Sequence, residues 1–442
     1  MIDRAEGRSV IGRAGRAALA FIAALACLIA LLIFLATNSR PAVDAGPPPT
    51  AAQVGAGREA LLQLRARRDD PHDQQQIAFG PAELDGMSAL ATHGLQPDRL
   101  RMQLRRGDLS VAGSHRLFGG RWLNITVVVQ GHSRGFPPVD LTIGHLRVRG
   151  WTARMLIEIG RLALRVRHVD VPPLDQLVRS VTVRDDRVIA EIQLPRKSGL
   201  IDQVVSLPPS SVDETHVVRI YCRLASQQRV APVTELATHV RRAFTTSDAD
   251  AGTPDHNRAT FIALAMLLVD QRAGDLAGAA RAATGSCRAK SSQSADAAIA
   301  TIRGRADWPK HWALSAALAA GANPRLAEAM GEWKELADTL NARPDGAIVD
   351  PTGFSFADLA ADRSGYQIAQ AAARPETAAA VADRLRSVTP EQLLPKTLTS
   401  REDGLSNAQF VQRYGGLGDA RFRTRVAEID ATLRTTGMLQ GL

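Results

Sequence analysis

With 442 residues and 45% apolar side chains, the chain has material for two domains or three, which excludes a disordered tail, and three cysteines exclude a disulfide-stapled scaffold. The net charge of +9 is unevenly held. Between Arg99 and Arg167, thirteen arginines stand against Asp108, Asp140 and Glu158, a local excess of ten positive charges.

Residues 17–36 run for twenty positions without a charge, proline or glycine, enough for a helix of roughly 30 Å, the thickness of a bilayer core. We expect a transmembrane signal-anchor over residues 17–38. A cleaved signal peptide is the alternative, but its apolar region would be shorter, about 7–15 residues, and the small-residue triplet Val43-Asp44-Ala45 lies well past the run. A lipoprotein reading through Cys27 meets a thiol in mid-run. Arg4, Arg8, Arg13 and Arg16 precede the segment, so residues 1–16 are expected in the cytoplasm and the bulk beyond the membrane, in the periplasm if the source is bacterial.

Residues 39–75, with Pro41 and Pro47 to Pro49, read as a linker followed by a short stalk helix at 59–68. Residues 76–207 read as a β-rich basic module. Leu100, Met102 and Leu104 alternate with Arg and Gln; Leu123, Ile125, Val127 and Val129 recur at every second position, as do Val139, Leu141 and Ile143. A last hairpin turns at Arg184 to Arg187. One apolar face per strand implies an antiparallel sheet. Within this module, residues 151–167 form an amphipathic helix with Arg154, Glu158, Arg161 and Arg165 on one face and Met155, Ile159, Leu162 and Val166 on the next. It either crosses the sheet or lies on an anionic membrane, and the alternation of Leu162, Leu164 and Val166 leaves a strand after Gly160 as the other reading.

Residues 208–442 read as an all-α module, giving an α+β protein as a whole. Helices are expected at 212–226, 235–245, 257–269, 312–320, 325–340, 356–373, 376–386 and 420–435, with a polar loop at 286–294. Cys222 and Cys287 are the exported cysteines; they either form a disulfide or remain two buried thiols.

For an exported basic module the partners are the inner membrane, anionic lipid, lipopolysaccharide, a cell-wall polymer or other envelope proteins, and nucleic acid is excluded. Arg147, Arg149, Arg154, Arg161 and Arg165 are the candidate anionic-surface contacts. Candidate chemistry gathers in residues 304–365. His311 and Ser315 lie one turn apart; Glu335 and Asp338 share a face, as do Asp358 and Asp362. A histidine with several carboxylates suits acid–base catalysis or a divalent metal, although no cofactor is required. The same residues also serve ordinary structure: Ser355 or Asp358 fits a helix cap. No GxSxG, HExxH, P-loop or paired CxxC string is present.

The order formed by His311, Ser315, Gly331, Lys334, Glu335, Asp338, Phe354, Ser355, Asp358, Leu359, Asp362 and Gly365 resembles the YfiM-like lipoprotein and VanZ-like group of bacterial envelope proteins. That resemblance covers about sixty residues and implies an envelope location rather than a reaction. The expected role is non-enzymatic, binding or scaffolding an anionic envelope component; the alternative is an envelope hydrolase or transferase built on the His311 group.

Overall fold

The computed structural model describes residues 10–68, 75–94, 96, 98–105, 107–132, 135–166, 173–184, 186–192, 212–277, 284, 287, 300–321, 324–338, 353–400 and 402–441. The fold is α+β with antiparallel sheets, as the alternation implies. Helix α1 spans Val10–Ala36. Its described side chains begin at Ala20 and cover about 25 Å of helix. Among the described residues, no helix is long and apolar enough to cross a membrane.

The expected span to residue 38 ends early. Thr37–Asn38 instead form strand β1, paired with β5 (Trp122–Gln130). Residues 39–75 were expected as linker and stalk, yet much of this segment is built into the fold. Val43 is buried, the Ala42 and Val43 amides donate to Ser114 Oγ at 3.0 and 3.1 Å, and Asn124 Nδ2 donates to Arg40 O at 3.0 Å. Helix α2 (Ala51–Arg68) starts eight residues before the stalk did and buries Ala51, Val54 and Ala60. Three prolines stiffen the approach, and apolar contacts hold it down.

The module after it is mixed rather than purely β. Strand β2 (Gln75–Phe79) leads into helix α3 (Pro81–Gly94), which crosses α2 where a β-carbon on Gly86 would stand 2.5 Å from the Gly57 nitrogen. Strands β3 (Arg99–Arg105), β4 (Asp108–Arg116), β5, β6 (Val139–Ile143) and β7 (Leu146–Arg149) follow in meander order. The register sets Met102 opposite Val111, Leu109 opposite Val129 and Val127 opposite Leu141, so one face is continuously apolar. Strands β8 (Val178–Val183) and β9 (Val188–Ile192) make the expected hairpin, and β9 also pairs with β2.

Helix α4 (Gly150–Val166) matches the amphipathic segment. It settles on β6 and β7 through Ala153 and Ile157, against Val139 and Leu141.

Nine helices of two turns or more are described in the C-terminal region: α5 (Glu214–Val230), α6 (Leu236–Phe244), α7 (Pro254–Leu268), α8 (Trp308–Gly321), α9 (Pro324–Asp338), α10 (Phe356–Ala372), α11 (Ala378–Leu385), α12 (Asn407–Tyr414) and α13 (Ala420–Thr436). Five of the starts are fixed by side-chain caps: Asp213, Thr253, Ser355, Ser406 and Asp419 each accept an amide of the first turn. One core unites them, with Phe244, Phe261 and Trp312 at its centre and Phe354, Phe356, Phe410 and Phe422 beside it. It also takes in Val54 and Leu90 of α2 and α3, so the two halves of the chain share apolar contacts. Cys222 and Cys287 form a disulfide. The polar loop at 286–294 lies outside the described residues except Cys287.

Candidate functional site

Helices α8, α9 and α10 bring the sequence candidates together. The α8–α10 crossing is tight because Gly365 has no side chain: a β-carbon there would lie 2.1 Å from the Trp312 carbonyl oxygen. His311 is the residue before Trp312 on α8, and Asp362 lies one turn before Gly365 on α10. His311 Nδ1 lies 3.2 Å from Asp362 Oδ2, and its Nε2 lies 3.3 Å from Asp358 Oδ2. Glu335 Oε1, from α9, is 3.9 Å from His311 Nδ1. Ser315 Oγ donates to Asp362 Oδ1 at 2.7 Å. Gly331 leaves room for Asp362, whose carboxylate would stand 3.2 Å from a β-carbon there.

The local sequence explains each orientation. Ser355 caps α10, its Oγ accepting the Asp358 amide at 3.0 Å and donating to Asp403. That frees the Asp358 carboxylate, which takes the Trp308 indole N–H at 3.0 Å and faces His311. The Ser355 amide donates to Glu335 Oε2 at 3.1 Å. Asp338 does not join the centre: it pairs with Lys334 at 2.9 Å, and Lys334 reaches Glu335 at 3.3 Å. Of the six candidates, five meet and Asp338 serves at the rim.

Burial and charge compete here. His311 is 7% exposed and Glu335 is fully buried. Burial opposes charge on His311, but the Asp362 and Asp358 carboxylates prevail and hold its pKa well above the ordinary histidine value. Burial, then the nearby Asp358 charge, pushes the Glu335 carboxyl up to about 8 despite Lys334 and His311. For Asp358, burial is overcome by the hydrogen bond and charge of His311, and its pKa falls. Both His311 nitrogens thus face aspartates, which favours the imidazolium, while burial favours the protonated form of Glu335.

This has chemical consequences. An imidazolium donating through both nitrogens has no lone pair to act as a base. Ser315 donates to the acid rather than to the histidine, so the serine–histidine–acid relay is not assembled. Were the imidazole proton displaced, His311, Glu335 and Asp362 would offer one nitrogen and carboxylate oxygens within 4.8 Å of one another, a donor set for a divalent metal.

The second group of candidates is the basic face. Arg147 is exposed on β7. Arg149 pairs with Asp140 at 3.4 Å, Arg154 with Asp175, and Arg161 with Glu158. The Arg165 side chain lies outside the described residues. Much of the expected cationic stripe is therefore matched by carboxylates, including Asp175, which lies outside the window over which the charge excess was counted.

Composition gave no sign of Asp403 or Arg305, which complete the surroundings: Arg305 stacks over Trp308 at 4.8 Å and approaches Asp403 at 3.6 Å. Trp308 and Asp307 do lie in the run that draws attention to His311, and Asp307 binds Arg305 at 2.9 Å through Nε. No protein-family model, curated protein or solved structure matches the chain.

Proposed function

We propose that this is a single-pass, non-enzymatic protein of the bacterial envelope, anchored in the inner membrane by α1 with its N-terminus cytoplasmic and its bulk periplasmic. It holds its N-terminal module on an anionic membrane surface or envelope polymer. The observation that carries the reading is an unburied apolar face on α4: Trp151, Met155, Ile159 and Leu162 are 75, 46, 52 and 49% exposed. They fall on one helical stripe. Exposed apolar stripes of this kind mark membrane or partner contacts.

Its location supports the same reading. The end of α1 is seated on the sheet: His145 N donates to Leu35 O at 2.7 Å, and Arg121 donates to Thr37 O at 2.9 Å while lying over the Phe34 ring. From His145 only the four residues of β7 separate that seat from α4, about 13 Å of strand. Helix α1 itself exposes Phe21, Ile22, Ile33 and Phe34. The apolar run from residue 17, the four preceding arginines and the resemblance to envelope proteins point the same way.

The test is the full chain reconstituted in nanodiscs. Brominated acyl chains should quench wild-type fluorescence more than that of Trp151→Phe, and more in anionic than in zwitterionic bilayers. Equal quenching of the two proteins would remove the surface contact. A C-terminal reporter found in the cytosol would remove the topology.

A second reading, an envelope hydrolase or transferase, is favoured by one observation: five candidates on three helices converge on a buried point. It requires a metal to displace the His311 proton, or a partner to open the centre. His311→Ala and Asp362→Ala that fold and still complement a deletion would end it.

A further inference from the structure

Outside the site described above, two histidines that the sequence sets forty residues apart meet at the start of two helices. His216 lies in the first turn of α5, after the Asp213 cap, and His256 in the first turn of α7, where Thr253 Oγ1 accepts its amide at 3.3 Å. His216 Nε2 and His256 Nδ1 are 3.1 Å apart. The loop between α6 and α7 places Asp250 against both: Oδ1 is 3.3 Å from His256 Nδ1, and Oδ2 is 3.3 Å from His216 Nδ1.

We propose that His216, Asp250 and His256 bind a divalent transition metal of the zinc class. The chemistry of the donors supports this. Two imidazole nitrogens and a carboxylate oxygen are the set that zinc takes in sites with one position left open. At metal–ligand distances of about 2.0–2.1 Å, tetrahedral ligands stand roughly 3.3 Å apart, and the separations of 3.1 and 3.3 Å are those edges.

Asp250 is 44% exposed while His256 is 1% exposed, so the group has a buried floor and an open side for entry and a water ligand. Asp248 also lies nearby, but Arg223 at 3.0 Å and Arg219 at 3.7 Å hold it. It braces the loop rather than supplying a ligand.

The alternative is a hydrogen-bonded chain that ties α5 to α7 without an ion. The full chain, purified in detergent and stripped by chelator, should be titrated with Co²⁺ alone and followed by visible absorption. We expect one equivalent with the intense bands of tetrahedral coordination. His216→Ala and Asp250→Asn, each with wild-type circular dichroism, should weaken binding at least 10–100-fold, the size of even an outer-shell loss. His311→Ala should leave the bands unchanged. Absence of the bands in wild type, or their persistence in folded His216→Ala, would overturn the site, and loss of them only in His311→Ala would move the metal to the other centre. None of these results depends on membrane contact or activity.

Discussion

Gly365 and Trp312 touch backbone to backbone, so closely that a β-carbon on the glycine would lie 2.1 Å from the tryptophan carbonyl oxygen. This contact fixes the distance between α8 and α10, and hence that between His311 and the two aspartates facing it. Gly365→Ala would gain up to about 1 kcal/mol of helix propensity. It must nevertheless push the helices apart, and overpacking costs typically 1–3 kcal/mol. We expect a net loss of stability in chemical denaturation, with weakened His311–Asp358 contact. A variant as stable as wild type would show that the seam is looser than described.

Glu335 and His311 predict one sign of pH dependence. The glutamic acid ordinarily titrates at 4.5 but holds its proton in the fold up to about 8. Below 4.5 both states are protonated. Between 4.5 and 8 the unfolded chain releases the proton and the folded chain keeps it, so stability falls as pH rises, then levels off. His311, raised above 6.5, stabilises fully below that value and loses its contribution as pH climbs through its folded pKa. Glu335→Gln keeps the shape of the neutral acid, so chelator-treated variant should lose less stability than wild type from pH 5 to 8, by on the order of a few kcal/mol. Parallel melting curves across that range would contradict the buried neutral acid.

The cap at Ser355 gives a sharper local test. Its hydroxyl accepts the Asp358 amide and donates to Asp403. Ser355→Ala should cost roughly 1–2 kcal/mol. Asp358 would also lose its fixed approach to the imidazole, so the His311 pKa followed by NMR should fall. An unchanged His311 titration would show that Asp362 alone sets it.

Cys222 and Cys287 are 65 positions apart, so their bridge closes a long loop. In the chain-entropy account such a loop is worth roughly 4 kcal/mol through the unfolded state. Cys287→Ser should therefore lower the unfolding free energy by that order, read from the shift in denaturation midpoint, with the α5–α7 contact kept. A mutant as stable as the oxidised protein would mean the bridge constrains little.

Much of this fold was legible because periodicity is local. Ile125, Val127 and Val129, recurring at every second position, announce a strand, and the four-residue step from Asp358 to Asp362 puts two carboxylates on one helix face. Helix α3 was not legible, since Gly86, Ser88 and Thr92 carry little apolar signal. They are small or polar because they fit tertiary partners: Gly86 meets Gly57, while Ser88 Oγ and Thr92 Oγ1 accept the β3 amides of Met102 and Leu100 at 2.8 and 2.9 Å. The helix expected at 59–68 is present, but its earlier start and its burial were not legible for a related reason, since Ala60 packs with Val181 and Val188, far along the chain. His311 stood out beside its tryptophans, but nothing near Asp403 foretold its bond to Ser355. His216 and His256 likewise become a pair only when α5 and α7 pack.

The exposed stripe of α4 separates stability from surface contact. Ile159 and Leu162 already face outward at 52 and 49% exposure, so replacing both with serine removes little buried area and should change folding stability by no more than about 0.5 kcal/mol each. If the stripe rests in the headgroup region, however, each lost apolar side chain forfeits up to about 1.5–3 kcal/mol of transfer energy, discounted for partial burial. The double variant should thus melt like wild type in detergent yet lose much of the Trp151 quenching in anionic nanodiscs. Ala153, fully buried against Val139 and Leu141, is the opposite control. Ala153→Ser places an unpaired hydroxyl in that contact, so it should destabilise the module in detergent and leave the outer stripe intact. Were Ile159→Ser/Leu162→Ser to destabilise the protein in detergent as strongly as Ala153→Ser, those side chains would be packed against protein rather than membrane.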